Sequence, residues 1–302
     1  MIRAIDIHTH PPTPEEYMTE DQKKNRAAMA AHYGARAYAQ QSWDIDQFAD
    51  HYAKMESMAV MLVSDNETIS GNPPLPMKLV ADWAKKYPKQ LIGFGGIDPH
   101  KGKVALNQLD EIAGLGLRGL KFHSGSQHFF ANDTQYYPLW ERCAKLGLIC
   151  LFHSGSTGVG AGRPGGGGIK LEPMKPVPYV DDVAADFPEL KIILAHPSFP
   201  WDKEGLSVII HKPNVWMDLS GYSPDYMDPL VIQYTKTIAK DKMLFGSDWP
   251  VVTPTRWIAD WKKQDIPEEI NRKLFRDNAA KLLGMEELIT DDWEMPVPPP
   301  VS

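Results

Sequence analysis

The sequence predicts an α/β chain folded as a (β/α)8 barrel, and three observations predict it. Eight short strand-like runs recur along the chain. Helical patterns fall between them, the alternation expected of parallel βα units. The length of 302 residues suits one barrel of this kind, so 1–302 reads as a single domain. An open dinucleotide-binding sheet has no support, because no Gly-x-Gly-x-x-Gly follows a strand.

The runs are Ala4–His8, Met58–Ser64, Leu91–Ile97, Leu117–Phe122, Leu148–His153, Lys191–Ala195, Val215–Leu219 and Met243–Gly246. Several are continuously apolar, as strands buried on both faces of a parallel sheet are. Residues 11–57 follow the first run as a long insertion rich in Tyr, His, Met and Ala. Its pattern is helical, and its place suits a cap over the barrel mouth. A helix over Pro76–Tyr87 presents Leu79, Val80, Trp83 and Ala84 on one face. A second, over Tyr136–Leu146, presents Leu139, Trp140, Cys143 and Ala144 and stops at Gly147. Residues 154–178 form a loop after the fifth run, with glycines at 165–168. A helix over Tyr179–Phe187 meets Pro188, and one over Pro267–Leu283 opens on proline and ends before Gly284. Residues 285–302 form a proline-rich arm, Pro296 to Pro300.

A net charge of −7 argues against a nucleic-acid or anionic-membrane surface. Cys143 and Cys150 lie in apolar patterns and read as buried free thiols of a reducing compartment. No apolar run reaches the ~18–20 residues of a spanning helix, and no signal-peptide pattern opens the chain. A cytoplasmic protein that takes a small molecule is expected, with a homodimer as the expected assembly.

The chemistry gathers at the C-terminal ends of the runs, where barrel enzymes place their sites. The first ends in His8-Thr9-His10, and alternate strand residues share a face, so two imidazoles aim at one point. The fourth ends in Lys121 and His123, the fifth in His153, the sixth in His196, and the eighth in Asp248. Five of the ten histidines thus lie at predicted strand ends, more than a scatter over surface helices and loops would place there. Imidazoles with one carboxylate make a mixed N/O donor set suited to a divalent metal. Zinc is the first expectation, with manganese or iron as alternatives.

His8-Thr9-His10, His153-Ser154-Gly155, Ala195-His196-Pro197 and Gly246-Ser247-Asp248-Trp249-Pro250 together resemble the amidohydrolase superfamily. The likeness is to its amidohydrolase-related, or amidohydrolase 2, branch. Asp277-Asn278-Ala279-Ala280-Lys281-Leu282-Leu283-Gly284 resembles the last helix of that branch, and the likeness runs from about residue 2 to 285. It implies that His8, His10, His153 and Asp248 hold one metal, with His196 a catalytic histidine near the open coordination position. It also implies a hydrolase in which an activated water attacks a carbonyl-type carbon. Asp248 or His196 would move the proton, and the bond cut would be C–N, C–O or the C–C bond of a β-keto compound. The alternative from the same branch is a non-oxidative decarboxylase of an aromatic or ene-carboxylate acid.

Each assignment has a plainer competitor. The competitor for His8 and His10 is a hydrogen-bonded core pair, for His153 a bond to a neighbouring carbonyl, and for Asp248 a turn or cap residue, with the ligand reading preferred for each. Lys121 is either a carboxylated bridge between two metals, as in some branches, or an ordinary lysine that meets a carboxylate or binds an anionic substrate. His123 and His128 are substrate contacts or polar loop residues. The glycine run reads as a lid rather than a phosphate cradle, since it lacks the Gly-Lys-Ser/Thr ending. Arg163 and Lys170 in that loop are placed to meet an anion. Tyr33, Tyr38 and Trp43 read as lid packing, and Trp249 as pocket rim. A purely structural metal is the remaining reading, although such sites usually close with cysteine.

Overall fold

A computed structural model describes residues 1–33 and 43–299. A strand falls on each predicted run. They are β1 (Ala4–Thr9), β2 (Ser57–Met61), β3 (Leu91–Gly93), β4 (Gly119–Phe122), β5 (Ile149–His153), β6 (Ile192–Ala195), β7 (Val215–Asp218) and β8 (Met243–Leu244). All pair in parallel, as β1-β2-β3 and as β4-β5-β6-β7-β8. Backbone bonds join the two runs at both edges. Gly95 N–H donates to Gly119 O at 2.7 Å and Lys121 N–H to Gly95 O at 2.9 Å, linking β3 to β4. Ile7 N–H donates to Phe245 O and Asp248 N–H to His8 O, each at 2.9 Å, linking β8 back to β1. The strand order therefore runs round a ring, the architecture of a (β/α)8 barrel.

Alternation along the strands sorts the apolar side chains into two clusters. Ile5, Ile7, Val60, Ile149, Leu151, Ile193 and Leu244 form an inner one with Ala279, Ala280, Leu282 and Leu283. Leu120, Phe122, Cys150, Phe152, Ile192 and Leu194 pack outward with the helices. β1 breaks its own alternation. Asp6 pairs with Ala59, yet Thr9 pairs with Met61, so three steps on β1 meet two on β2. A bulge of this kind re-aims side chains. Asp6 receives the Tyr52 hydroxyl at 2.7 Å from the helical layer, whereas His8 meets Lys121 and Asp218 inside.

The insertion after β1 carries α1 (Glu20–Tyr33) and α2 (Ile45–Lys54). A capping box opens α2: Gln47 N–H donates to Asp44 Oδ1 at 2.8 Å, and Asp44 N–H donates back to Gln47 Oε1. α2 buries Phe48, Ala49, His51 and Tyr52, whereas α1 buries nothing. α1 rests on the glycine loop instead. Arg163 donates to Asn25 Oδ1 at 2.8 Å, and Gly158 faces Met29 and Tyr33. Gly160 is needed there, because a Cβ would lie 2.0 Å from Gly166 O. Trp43 stacks on Trp249 with centroids 5.8 Å apart. Tyr38 lies outside the described residues, as does Pro300 of the C-terminal arm. That arm is anchored by buried Trp293, whose indole N–H donates to Arg3 O at 2.8 Å.

The predicted helix over Pro267–Leu283 differs in one respect. It is split into Glu268–Arg272 and Asn278–Leu283 by a π turn at Lys273–Asp277. Within that turn Leu274 O accepts Phe245 N–H at 2.9 Å, which ties the last helix to the end of β8. No described helix is long and apolar enough to cross a membrane.

Trp140 is fully buried between Phe122 and Phe152, with centroids at 5.0 and 5.2 Å. Trp140→Ala is expected to cost about 3–5 kcal/mol, read as a lower urea midpoint. Burial, reinforced by Lys54 and opposed by Asp50, pushes His51 down to about 4. The unfolded chain therefore takes up that proton first, and stability should fall as pH drops from about 6.5 towards 4. Urea midpoints stepped across this window should fall less for His51→Phe than for the parent chain.

Candidate metal centre

Imidazoles and carboxylates from six strand ends meet at one end of the ring. His8 is fully buried, with Nδ1 3.0 Å from Asp218 Oδ2 and 3.0 Å from Ser220 Oγ. Its Nε2 lies 3.4 Å from Asp248 Oδ1 and 3.4 Å from Lys121 Nζ. His10 is 44% exposed and places Nε2 3.2 Å from Asp248 Oδ1. Ser220 Oγ also lies 2.8 Å from His196 Nδ1. The His196 ring stands 4.7 Å from His8 and 4.7 Å from His153.

One donor atom each from His8, His196 and Asp248 lies within 4.8 Å of the others. His153 reaches this group only through its ring. Its Nε2 lies 3.1 Å from Ser156 O, and it stacks on His123 at 4.2 Å. His123 is tied to the Thr157 hydroxyl at 3.0 Å, while His128 is exposed beyond it. Lys170 is exposed as well. Trp249 is buried and lines the pocket beside His10. Beside His10 a cavity of about 380 Å3 opens among Pro11, Leu62, Val63, Leu75 and Trp249.

Two ligand candidates sit on an unusual backbone. His196 has φ +69° and Asp248 φ +68°, left-handed values that side-chain-bearing residues seldom adopt. Such strain persists where the surroundings impose it, and it clusters at functional sites.

The electrostatics separate the groups. Burial, with Lys121 adding to it, pushes His8 down to about 3 against the pull of Asp218. Burial likewise lowers His123 to about 3 and depresses His153 and His196. Burial brings Lys121 down to about 8. Burial would raise Asp248, but the bond from His10 and the His8 and His196 rings hold it below the usual carboxylate range. Asp218 is held low in the same way by His8, His196 and Ser220. Neutral imidazoles beside ionised carboxylates are the protonation states a divalent ion requires. Asp218 on Nδ1 of His8 leaves Nε2 as donor, the carboxylate–histidine pairing that orients metal ligands. The residues present therefore fit a divalent metal.

Asp218 and Ser220 escaped the sequence reading. The available signal was a carboxylate closing the buried run Val215-Trp216-Met217. A lone Asp without ligand spacing does not declare a role. Asp218→Asn should weaken Zn2+ binding by roughly 10–100-fold in a chelator competition titration, with circular dichroism unchanged.

A family model described as amidohydrolase matches residues 5–285. Among curated proteins, the 2-amino-3-carboxymuconate-6-semialdehyde decarboxylase of Dictyostelium discoideum is 23% identical over 239 residues, covering 68% of this chain and 65% of the relative. Protein fluG of Emericella nidulans is 24% identical over 96 residues, 30% of this chain and 11% of the relative. The chain thus spans less than two thirds of either. An uncharacterized TIM-barrel protein from Bordetella bronchiseptica superposes with a TM-score of 0.74 at 21% identity, over 95% of this chain and 100% of that one. A probable 2-pyrone-4,6-dicarboxylic acid hydrolase of Acinetobacter baumannii with citric acid bound gives 0.64 at 14%, over 94% and 100%. The 5-carboxyvanillate decarboxylase of Novosphingobium aromaticivorans, complexed with manganese and a nitrobenzoic acid, gives 0.62 at 14%, over 94% and 96%. With its model matched from the first strand to the last helix, the chain belongs to the amidohydrolase family of enzymes.

Proposed function

We propose that the chain is a zinc-dependent hydrolase acting on a carbonyl-type carbon of a small molecule. His8, His10, His153 and Asp248 are assigned to the metal, with His196 beside its open position. Support comes from the shared reach of His8, His196 and Asp248, and from the contacts of His10 with Asp248 and of His153 with His196. When bound, the metal supplies Lewis-acid polarisation and lowers the pKa of a water.

The carrying observation is Asp248, whose carboxylate is held ionised between His8 and His10. An ionised carboxylate at rest accepts a proton, which is the first demand of water attack. His196 is kept neutral, and its Nδ1 is engaged by Ser220, so its other nitrogen can take the proton on towards the leaving group. Lys121 is the buried cation beside His8 and is assigned to a negative charge on the substrate. The bond cut is C–N, C–O or the C–C bond of a β-keto compound.

A second reading, non-oxidative decarboxylation, is favoured by the Dictyostelium discoideum relative, which is a decarboxylase aligned along 68% of this chain.

The zinc-loaded protein should be assayed against amides, lactones, β-keto thioesters and aromatic acids, with carbon dioxide and hydrolysis products scored separately. Hydrolysis products are expected, and Asp248→Asn should lose about 10²–10⁴-fold in turnover. Carbon dioxide release without a hydrolysis product would establish the decarboxylase instead.

A further inference from the structure

Asp248 occupies a backbone conformation that costs energy for any residue with a side chain. Something must hold it there, and the bonds on either side of it converge on one buried carboxylate. Ser247, directly before Asp248, gives its N–H to Asp6 Oδ1 at 2.9 Å and its hydroxyl to Asp6 Oδ2 at 2.6 Å. Trp249, directly after, gives its N–H to the same Ser247 hydroxyl oxygen at 3.0 Å. Asp6 and Ser247 are both fully buried. Asp6 also accepts His8 N–H at 3.3 Å, on the strand that carries His8 and His10. The Tyr52 hydroxyl of α2 completes its shell at 2.7 Å.

We infer that Asp6, acting through Ser247, is the positioning residue that clamps Asp248 into its left-handed backbone and sets it against His8 and His10. The inference rests on the metal-centre reading of those three residues. Asp6 does not itself face the metal: the β1 bulge turns it towards α2 while His8 turns inward. Its effect is on the geometry of the donor set. One carboxylate fixes the segment after β8 and the end of β1 together, so the two histidines and the aspartate keep a common register.

The test uses Co2+ alone as probe, on the metal-stripped full chain. Parent protein, Asp6→Asn, Ser247→Ala and Tyr52→Phe are titrated, and the visible ligand-field spectrum of each cobalt form is recorded. Crystal structures of the metal-free parent and Ser247→Ala are compared. Asp6→Asn and Ser247→Ala should bind Co2+ about 10–100-fold more weakly, with altered band positions. In Ser247→Ala, Asp248 should leave the left-handed region. Tyr52→Phe removes a bond to the same carboxylate from the side of α2, so it should lower the unfolding midpoint and leave affinity and spectrum as in the parent. Parent-like affinity and spectrum in both Asp6→Asn and Ser247→Ala would overturn the inference. So would equal losses in all three variants, which would mean general loosening. A parent chain that fails to bind Co2+ removes the metal-centre reading. The crystal structures then decide the clamp, and an unmoved Asp248 in Ser247→Ala overturns it.

Discussion

The site exists because Asp248 N–H bonds to His8 O, joining the last strand of the ring to the first. Residues 240 positions apart in sequence thereby become backbone neighbours, and their side chains share one small volume. Every parallel strand of a closed ring delivers its C-terminal end to the same rim. That is why His8, Lys121, His153, His196, Asp218 and Asp248, each the close of a different strand run, meet without any local motif. The remaining architecture serves this closure. β8 is only two residues long, and Phe245 just after it is held on both sides, donating to Leu274 O in the π turn of the last helix and accepting Ile7 N–H from β1.

Burial at this rim has a chemical consequence. An imidazolium without a partner is costly away from water, so the clustered histidines are held neutral. The two carboxylates stay ionised because each accepts bonds from, or sits beside, those same rings. Asp218 and Ser220 act beneath the donor atoms. Between them they engage Nδ1 of His8 and of His196, which points the opposite nitrogens towards the open volume.

Over the mouth, the insertion after β1 divides its labour. α2 is amphipathic and packs into the core through Phe48 and Tyr52. α1 buries nothing and meets the barrel through the glycine loop, where small residues let a helix approach. Arg163 ties that loop to α1, which makes it part of the covering layer. The cavity beside His10 is bordered by this layer, since Gln22 and Arg26 of α1 and Val159 of the loop line it together with Leu62, Ser64 and Trp249.

The residues alone determined the eight strands, their order and the rim histidines, because continuous apolar runs and strand-end placement are local patterns. They also carried the family likeness, since its motifs are short and contiguous. Tertiary structure decided which of those side chains share a centre. Simple alternation puts Asp6 and His8 on one face, but the bulge in β1 separates them, and a bulge arises from pairing with β2 rather than from β1 itself. Asp218 was silent for a similar reason: a single carboxylate at a strand end acquires meaning only when ring closure brings it to His8, 210 residues away.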